Sequence, residues 1–163
     1  MKYVFLDVDG VLNNIHTDDS APSGCLGVSR KLIRNLADII EKTGAVIILT
    51  SDCKIGWEAF DFCCSEDARY LNEKLSKERI RITGKTYDEH VYDQFFEDRG
   101  KGIKRFLSQQ INVENYVVID DHIFSDFDEE IKGRLIKTDA SLGLTKEDAE
   151  HAVKILSQPY KQI

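Results

Sequence analysis

Three stretches of this chain are apolar from end to end and stop abruptly on polar residues of one kind. Val4-Phe5-Leu6 runs into Asp7-Val8-Asp9-Gly10, Ala45 to Leu49 runs into Thr50-Ser51-Asp52, and Tyr116 to Ile119 runs into Asp120-Asp121. A short, unbroken apolar run bounded by turn-forming residues reads as a strand buried on both faces, because a strand with one wet face alternates instead. Helical periodicity fills the gaps between these runs. Ser29 can cap a helix whose positions Leu32, Leu36, Ile39 and Ile40 share one face, and Gly44 ends it. Trp57, Phe60, Cys64, Leu71 and Leu75 read as a second helical face, Ile103, Phe106, Leu107 and Ile111 as a third starting near Gly100, and Ala149, Ala152, Val153 and Leu156 as a last. Residues 80–83 and Arg134 to Lys137 read as short strands, residues 10–28 as a long loop, and 84–98 as a polar, irregular segment. Strands alternating with helices imply an α/β fold: a Rossmann-like, doubly wound, mostly parallel sheet. With 163 residues, the chain suffices for one domain with a hydrophobic core, spanning 1–163, and is too short for two of ordinary size.

In such sheets ligands sit beyond the carboxyl ends of the strands, so the polar residues there carry the chemistry. Neighbouring strands lie about 4.8 Å apart, so the ends of the apolar runs would gather several carboxylates in a small volume. Two negative charges about 4 Å apart repel by about 1 kcal/mol in water and about 4 kcal/mol at an effective dielectric of 20. A cation among them relieves that repulsion, and all-oxygen ligation favours magnesium over softer metals. A single Asp-x-Asp at a strand end is also what a loop acid or helix cap looks like; three such ends together are not. The calcium loop of an EF-hand does not fit, since Gly10 directly follows the second Asp and a strand precedes the motif. A response-regulator receiver would want its acceptor Asp at the end of a middle strand, where Thr50 stands.

The net charge of −7 argues against broad, charge-driven binding to nucleic acid or anionic membrane, while leaving room for a local basic groove. No stretch approaches the ~20 apolar residues of a membrane span. The amino-terminal run lacks the apolar length and small-residue cleavage site of a signal peptide, so a cytoplasmic location and no membrane partner are expected. Cys25, Cys53, Cys63 and Cys64 form no CxxC pair and read as reduced thiols, Cys63 and Cys64 within a helix. Of four histidines, His122 alone follows an acidic strand end, and Asp126 and Asp128 read as a solvated acidic loop.

The run Val4 to Leu12 resembles the first motif of the haloacid dehalogenase (HAD) superfamily, hhhDxDGxL. Ile48-Leu49-Thr50-Ser51 resembles its second motif, Arg99-Gly100-Lys101-Gly102-Ile103 its third, and Val117 to Asp121 its acidic fourth. The pattern DVDGVLN, the stretch RGKGIKRFL, the IDD strand and Gly143-Leu144-Thr145 resemble, more narrowly, the HAD domain of the modular "Swiss Army Knife" RNA repair proteins. That group often has Trp and Arg after the second motif, where this chain has Cys53 and Lys54.

The resemblance implies a magnesium-dependent phosphomonoesterase. Asp7 would be the nucleophile and form an aspartyl-phosphate, and Asp9 the general acid and base. Thr50 or Ser51 would bind the phosphoryl oxygens. Lys101 would supply the cation, with Arg99 and Lys104 as alternates. Asp7, Asp9 (through its carbonyl), Asp120 and Asp121 would hold Mg2+. Lys101 adds a physical hint, because a cation in the first turn of a helix opposes its dipole by about 0.3–1 kcal/mol. Residues 10–28 are too few for a folded cap domain and 52–99 are mostly core, so an open site is expected. That favours a phosphorylated macromolecule such as a nucleic-acid end. A small-metabolite or nucleotide phosphatase and a catalytically silent phosphate- or protein-binding module are the rival readings.

Overall fold

The computed structural model describes residues 1–87 and 98–160. Five strands form one parallel sheet: β1 (Lys2–Leu6), β2 (Val46–Leu49), β3 (Ile82–Lys85), β4 (Asn115–Asp120) and β5 (Leu135–Lys137), in the spatial order β3-β2-β1-β4-β5. Among the described residues α1 (Arg30–Thr43), α2 (Glu66–Ser76), α3 (Arg99–Ser108) and α4 (Glu129–Lys132) lie between successive strands, and α5 (Lys146–Ser157) follows the last.

Successive strand residues point to opposite faces, and both faces are covered, which is why the strands are apolar throughout. Val4, Leu6, Ile47, Leu49, Val117 and Ile119 pack with α1, α2 and α5 on one side. Tyr3, Phe5, Ile48, Tyr116 and Val118 pack with Ile103 of α3 and Ile131 of α4 on the other. The α/β, Rossmann-like expectation therefore holds, and among the described residues no segment forms a substantial cap domain. No described helix is long and apolar enough to cross a membrane.

The order of strands positions the site. From β1 the chain moves outward through β2 and β3, then returns to the other flank of β1 with β4 and β5. The reversal leaves a crevice beyond the carboxyl ends of β1 and β4, the usual ligand position of open α/β sheets. Register brings Leu6 level with both Leu49 and Ile119, so Asp7, Thr50 and Asp120 emerge at one height.

The structure corrects the sequence in three places. Trp57, Phe60 and Cys64 do not lie on the helix of Leu71 and Leu75; they lie in a connection with short 3-10 turns at Asp52–Gly56 and Asp61–Cys63, and α2 begins only at Glu66. The connection folds back on itself: Ser65 N–H donates to the Gly56 carbonyl at 2.8 Å, and a side chain at Gly56 would meet Ser65 Oγ at 2.3 Å. Cys63 thus ends a short 3-10 turn and Cys64 follows it, neither on an α-helix, with Cys63 exposed and Cys64 buried. Strand β3 runs two residues later than its apolar pattern suggests, and its pairing with β2 skips a residue between Ile82 and Gly84. Ile111 lies past the end of α3 and is 86% exposed. Most of the segment expected to be irregular, 88–97, falls outside the described residues.

Candidate active site

Asp7 follows β1 directly, and its N–H donates to the Ile119 carbonyl of β4 at 3.0 Å, extending the ladder one residue past the strand. Asp120 is the last residue of β4 and is fully buried; Asp7 is 6% exposed. Oxygens of Asp7, Asp120 and Asp121 lie within 4.8 Å of one another.

One guanidinium bridges two of these acids. Arg99 Nη1 donates to Asp7 Oδ1 at 2.8 Å and to Asp120 Oδ2 at 2.7 Å, and Nη2 approaches Asp52 Oδ1 at 3.4 Å. The ring of Phe124 lies 4.3 Å from the guanidinium carbon and backs its flat face. The other oxygen of Asp120 accepts the His122 N–H at 2.9 Å. Asp7 is pushed up to about 7, chiefly by burial and also by the charges of Asp120 and Asp121, against the pull of Arg99. Burial raises Asp120 too, against the pull of Arg99. Burial works against the charge of Arg99, but the two carboxylates outweigh it and hold the guanidinium firmly protonated.

Lys101 is the sequence candidate that the structure does not bring to the acids. Its side chain is exposed, and what it presents inward is its backbone N–H, which donates to Asp126 Oδ2 at 2.9 Å. Helix geometry gives the reason: residues two apart differ by about 200° around the axis, so Arg99 and Lys101 cannot face the same acids. Lys104, the other alternate, pairs with Asp128. The cation on the acidic cluster is Arg99.

The turn after β1 is built on Gly10, which the first motif marks, and on Asn13 and Thr138, to which the sequence analysis gives no role in the site. Gly10 has φ +69°, and a Cβ there would stand 2.5 Å from Asp121 Oδ2, so both backbone and space demand glycine. Its N–H donates to Asn13 Oδ1 at 2.9 Å, and Asn13 Nδ2 donates to Asp9 Oδ1 at 2.9 Å. Thr138, just past β5, donates to the Gly10 carbonyl at 2.8 Å. The Gly143-Leu144 pair packs beneath: Leu144 N–H donates to the Val11 carbonyl, and a Cβ at Gly143 would lie 2.4 Å from Leu32. The first motif marks Gly10 and ends beside Asn13, the Gly-Leu-Thr stretch marks Gly143 and Leu144, and nothing in the local pattern marks Thr138. Asp9 itself is exposed, beside the buried Asp7.

Beyond β2, Thr50 N–H donates to the Leu6 carbonyl at 2.8 Å. Thr50 is fully buried, yet its hydroxyl has no hydrogen-bond partner among the described residues. Such groups are rare, because an unpaired buried hydroxyl costs roughly 1–3 kcal/mol. Ser51 is also buried. Lys54 is buried as well, and its Nζ donates to the Thr50 carbonyl at 3.2 Å and to Thr86 Oγ1 at 3.3 Å. The Cys53 thiol is pushed up by burial and by the charges of Asp9 and Asp7, which keeps it a thiol rather than a reactive thiolate.

The residues present fit a hard divalent cation. They offer three carboxylates at the ends of two adjacent strands, oxygen-only donors, and a cluster in which burial pushes Asp7 and Asp120 toward protonation.

Comparison with curated proteins and with solved structures returns no match. Comparison with protein families matches residues 3–149 to the HAD domain in Swiss Army Knife RNA repair proteins, a span that takes in every residue of the cluster just described. This chain belongs to that family of HAD domains.

Proposed function

We propose that the protein is a magnesium-dependent phosphomonoesterase that acts through an aspartyl-phosphate on Asp7, with a nucleic-acid terminal phosphate as substrate. The observation that carries the reading is the pairing of the Asp7–Asp120–Asp121 cluster with the orphaned Thr50 hydroxyl one strand away. A phosphoryl group would give that hydroxyl its missing acceptor, and would place phosphorus in front of a buried carboxylate.

Asp7, Asp120 and Asp121, with the Asp9 carbonyl, would hold the magnesium, which supplies charge neutralisation between the carboxylates and the phosphoryl oxygens. An Asp7 oxygen attacks phosphorus in line, and the bond to the ester oxygen breaks. Asp9 protonates the departing oxygen; its exposure beside the nucleophile and its tether to Asn13 suit that task. Water then attacks the phosphorus of the acyl-phosphate while the Asp9 carboxylate takes its proton, which releases phosphate and restores Asp7. Arg99, fixed by Asp7 and Asp120, keeps the nucleophile oriented and offsets its charge. With no cap domain among the described residues, the site is open to a phosphate carried by a large molecule.

The test is phosphate release with magnesium from an aryl phosphate, nucleotides, 3′- and 5′-phosphorylated oligonucleotides and phosphopeptides, with Asp7→Asn as the blank. Phosphorylated oligonucleotides are expected to give the highest kcat/KM. Arg99→Ala is expected to lower kcat by about 100-fold or more, and Lys101→Ala to leave it near the parent. Preference for free nucleotide would move the assignment to a small-molecule phosphatase, and inactivity across the panel to a silent binding module.

A further inference from the structure

A groove of about 740 Å3 lies beside β3, the outermost strand on its side of the sheet, and is walled by the connection between β2 and α2. That wall carries Phe60 and Phe62, stacked with ring centroids 5.7 Å apart and planes 26° from parallel. The two rings are 66% and 81% exposed, and neither belongs to the core on either face of the sheet. Trp57 lines the groove from a buried position, its ring N–H held by Asn72 Oδ1 at 3.1 Å. The two acids of the lining are engaged: Glu58 pairs with Lys85 at 2.9 Å, and Asp61 accepts from Asn72 at 2.7 Å. Arg81, exposed, also lines the groove and forms no ion pair among the described residues. A chain of net charge −7 thus lines one groove with an exposed guanidinium and a stacked pair of solvent-exposed rings.

The groove is also tied to the active site. Lys85, at the end of β3, donates to the carbonyls of Lys54 and Trp57 at 3.1 and 2.6 Å. Those contacts fasten the aromatic wall to the short turn at Asp52–Gly56, whose first residue reaches Arg99. The wall is therefore the direct continuation of the Thr50-Ser51 segment.

We propose that this groove is a stacking subsite for the bases of a single-stranded nucleic acid whose phosphorylated end enters the active site, with Arg81 meeting a backbone phosphate. The proposal rests on the nucleic-acid-end reading of that site. Aromatic faces that any base can cover, with a cation for the backbone, are how single strands are held without reading sequence. A footprint this short agrees with the acidic charge of the whole molecule. A peptide adding to the edge of β3 would use alternate side-chain pockets, whereas this wall presents a solvent-exposed stack of two rings that a base can extend.

The test is fluorescence anisotropy of a labelled, end-phosphorylated single strand of about eight nucleotides on full-length Asp7→Asn protein with magnesium. Adding Phe60→Ala with Phe62→Ala is expected to weaken binding about ten-fold, with the melting temperature matching the parent. Adding Arg81→Gln is expected to lower the slope of log affinity against log salt by about one phosphate contact. In the active protein, the same Phe substitutions are expected to lower the ratio of kcat/KM for oligonucleotide over aryl phosphate about ten-fold. Absence of oligonucleotide binding by the parent, binding indifferent to all three substitutions, or a groove that takes an extended peptide instead would each overturn the subsite. The two proposals fail separately. Release of phosphate from oligonucleotides with a ratio unmoved by the Phe substitutions keeps the active-site reading and sinks the groove. Binding lost with the Phe rings in a protein inactive on every phosphate keeps the groove and sinks the active-site reading.

Discussion

Asp7 sits where a carboxylate is least at ease, buried and sharing a small volume with two further acids. Its folded value of about 7 against an ordinary 3.8 means that the native protein keeps a proton that the unfolded chain gives up across that interval. Stability from this group is therefore fully present below about pH 4 and is lost as pH rises through about 7. In chelator, Asp7→Asn should melt higher than the parent, by a margin that widens from pH 5 to pH 8 and closes when magnesium is added. Thermal melts at the two pH values check this, and a margin that does not change with pH would contradict it. The residue scale is also where sequence reading was weakest. The pattern Arg-Gly-Lys-Gly offered two cations, and the one that looked purposeful by its place against the helix dipole was not the one facing the acids. A residue's distance along a helix says which way it points only once the helix is docked.

At the scale of elements, the strands were legible because burial on both faces leaves an unbroken apolar run. The helices were legible where caps agree with periodicity. Gly44 ends α1 in the left-handed conformation at φ 66°, as expected; Ser29 stands at the N-cap of α1 but its side chain makes no cap bond, whereas Thr145, to which the sequence analysis gives no capping role, opens α5 with a capping box. Thr145 Oγ1 accepts the Asp148 N–H at 3.1 Å, and Asp148 Oδ2 accepts the Thr145 N–H at 3.0 Å. Because α5 packs on α1 and on β4, loosening its first turn acts on the core. Thr145→Ala is expected to reduce unfolding free energy by about 1 kcal/mol, seen as a fall in melting temperature of roughly 2–4 °C. Denaturant titration checks it, and an unchanged midpoint would mean the cap carries no net stability. The stretch from Trp57 to Cys64 failed as a helix because only Trp57 and Cys64 meet the core, while Phe60 and Phe62 stay in solvent, and the tethers that shape its turns come from Ser65 and from Lys85, which is remote in sequence.

Across the whole molecule, the acids are a liability that a divalent cation would turn into a source of cohesion, since it binds the folded site and not the separated side chains. At about 100 times its dissociation constant, magnesium should add about 2.7 kcal/mol, or roughly 5–10 °C in melting temperature for a chain of this length. Asp121→Asn should shrink that gain. A melt titrated with magnesium and reversed with chelator reads it, and a melting temperature indifferent to the ion would count against the cation site.

The chain order of apolar runs, and the polar residues on which they stop, already determined an α/β sheet with acids along one edge, because burial and strand geometry act locally and leave a mark at every residue. Which of those side chains meet was decided by tertiary structure alone. The reversal of strand order around β1 brings Asp7 and Asp120 together across more than a hundred residues of sequence. The docking of α3 turns Arg99 rather than Lys101 toward them. The fold of the β2–α2 connection sets two phenylalanines face to face in solvent. Contacts of that kind depend on the relative placement of whole elements, and local pattern carries no record of it.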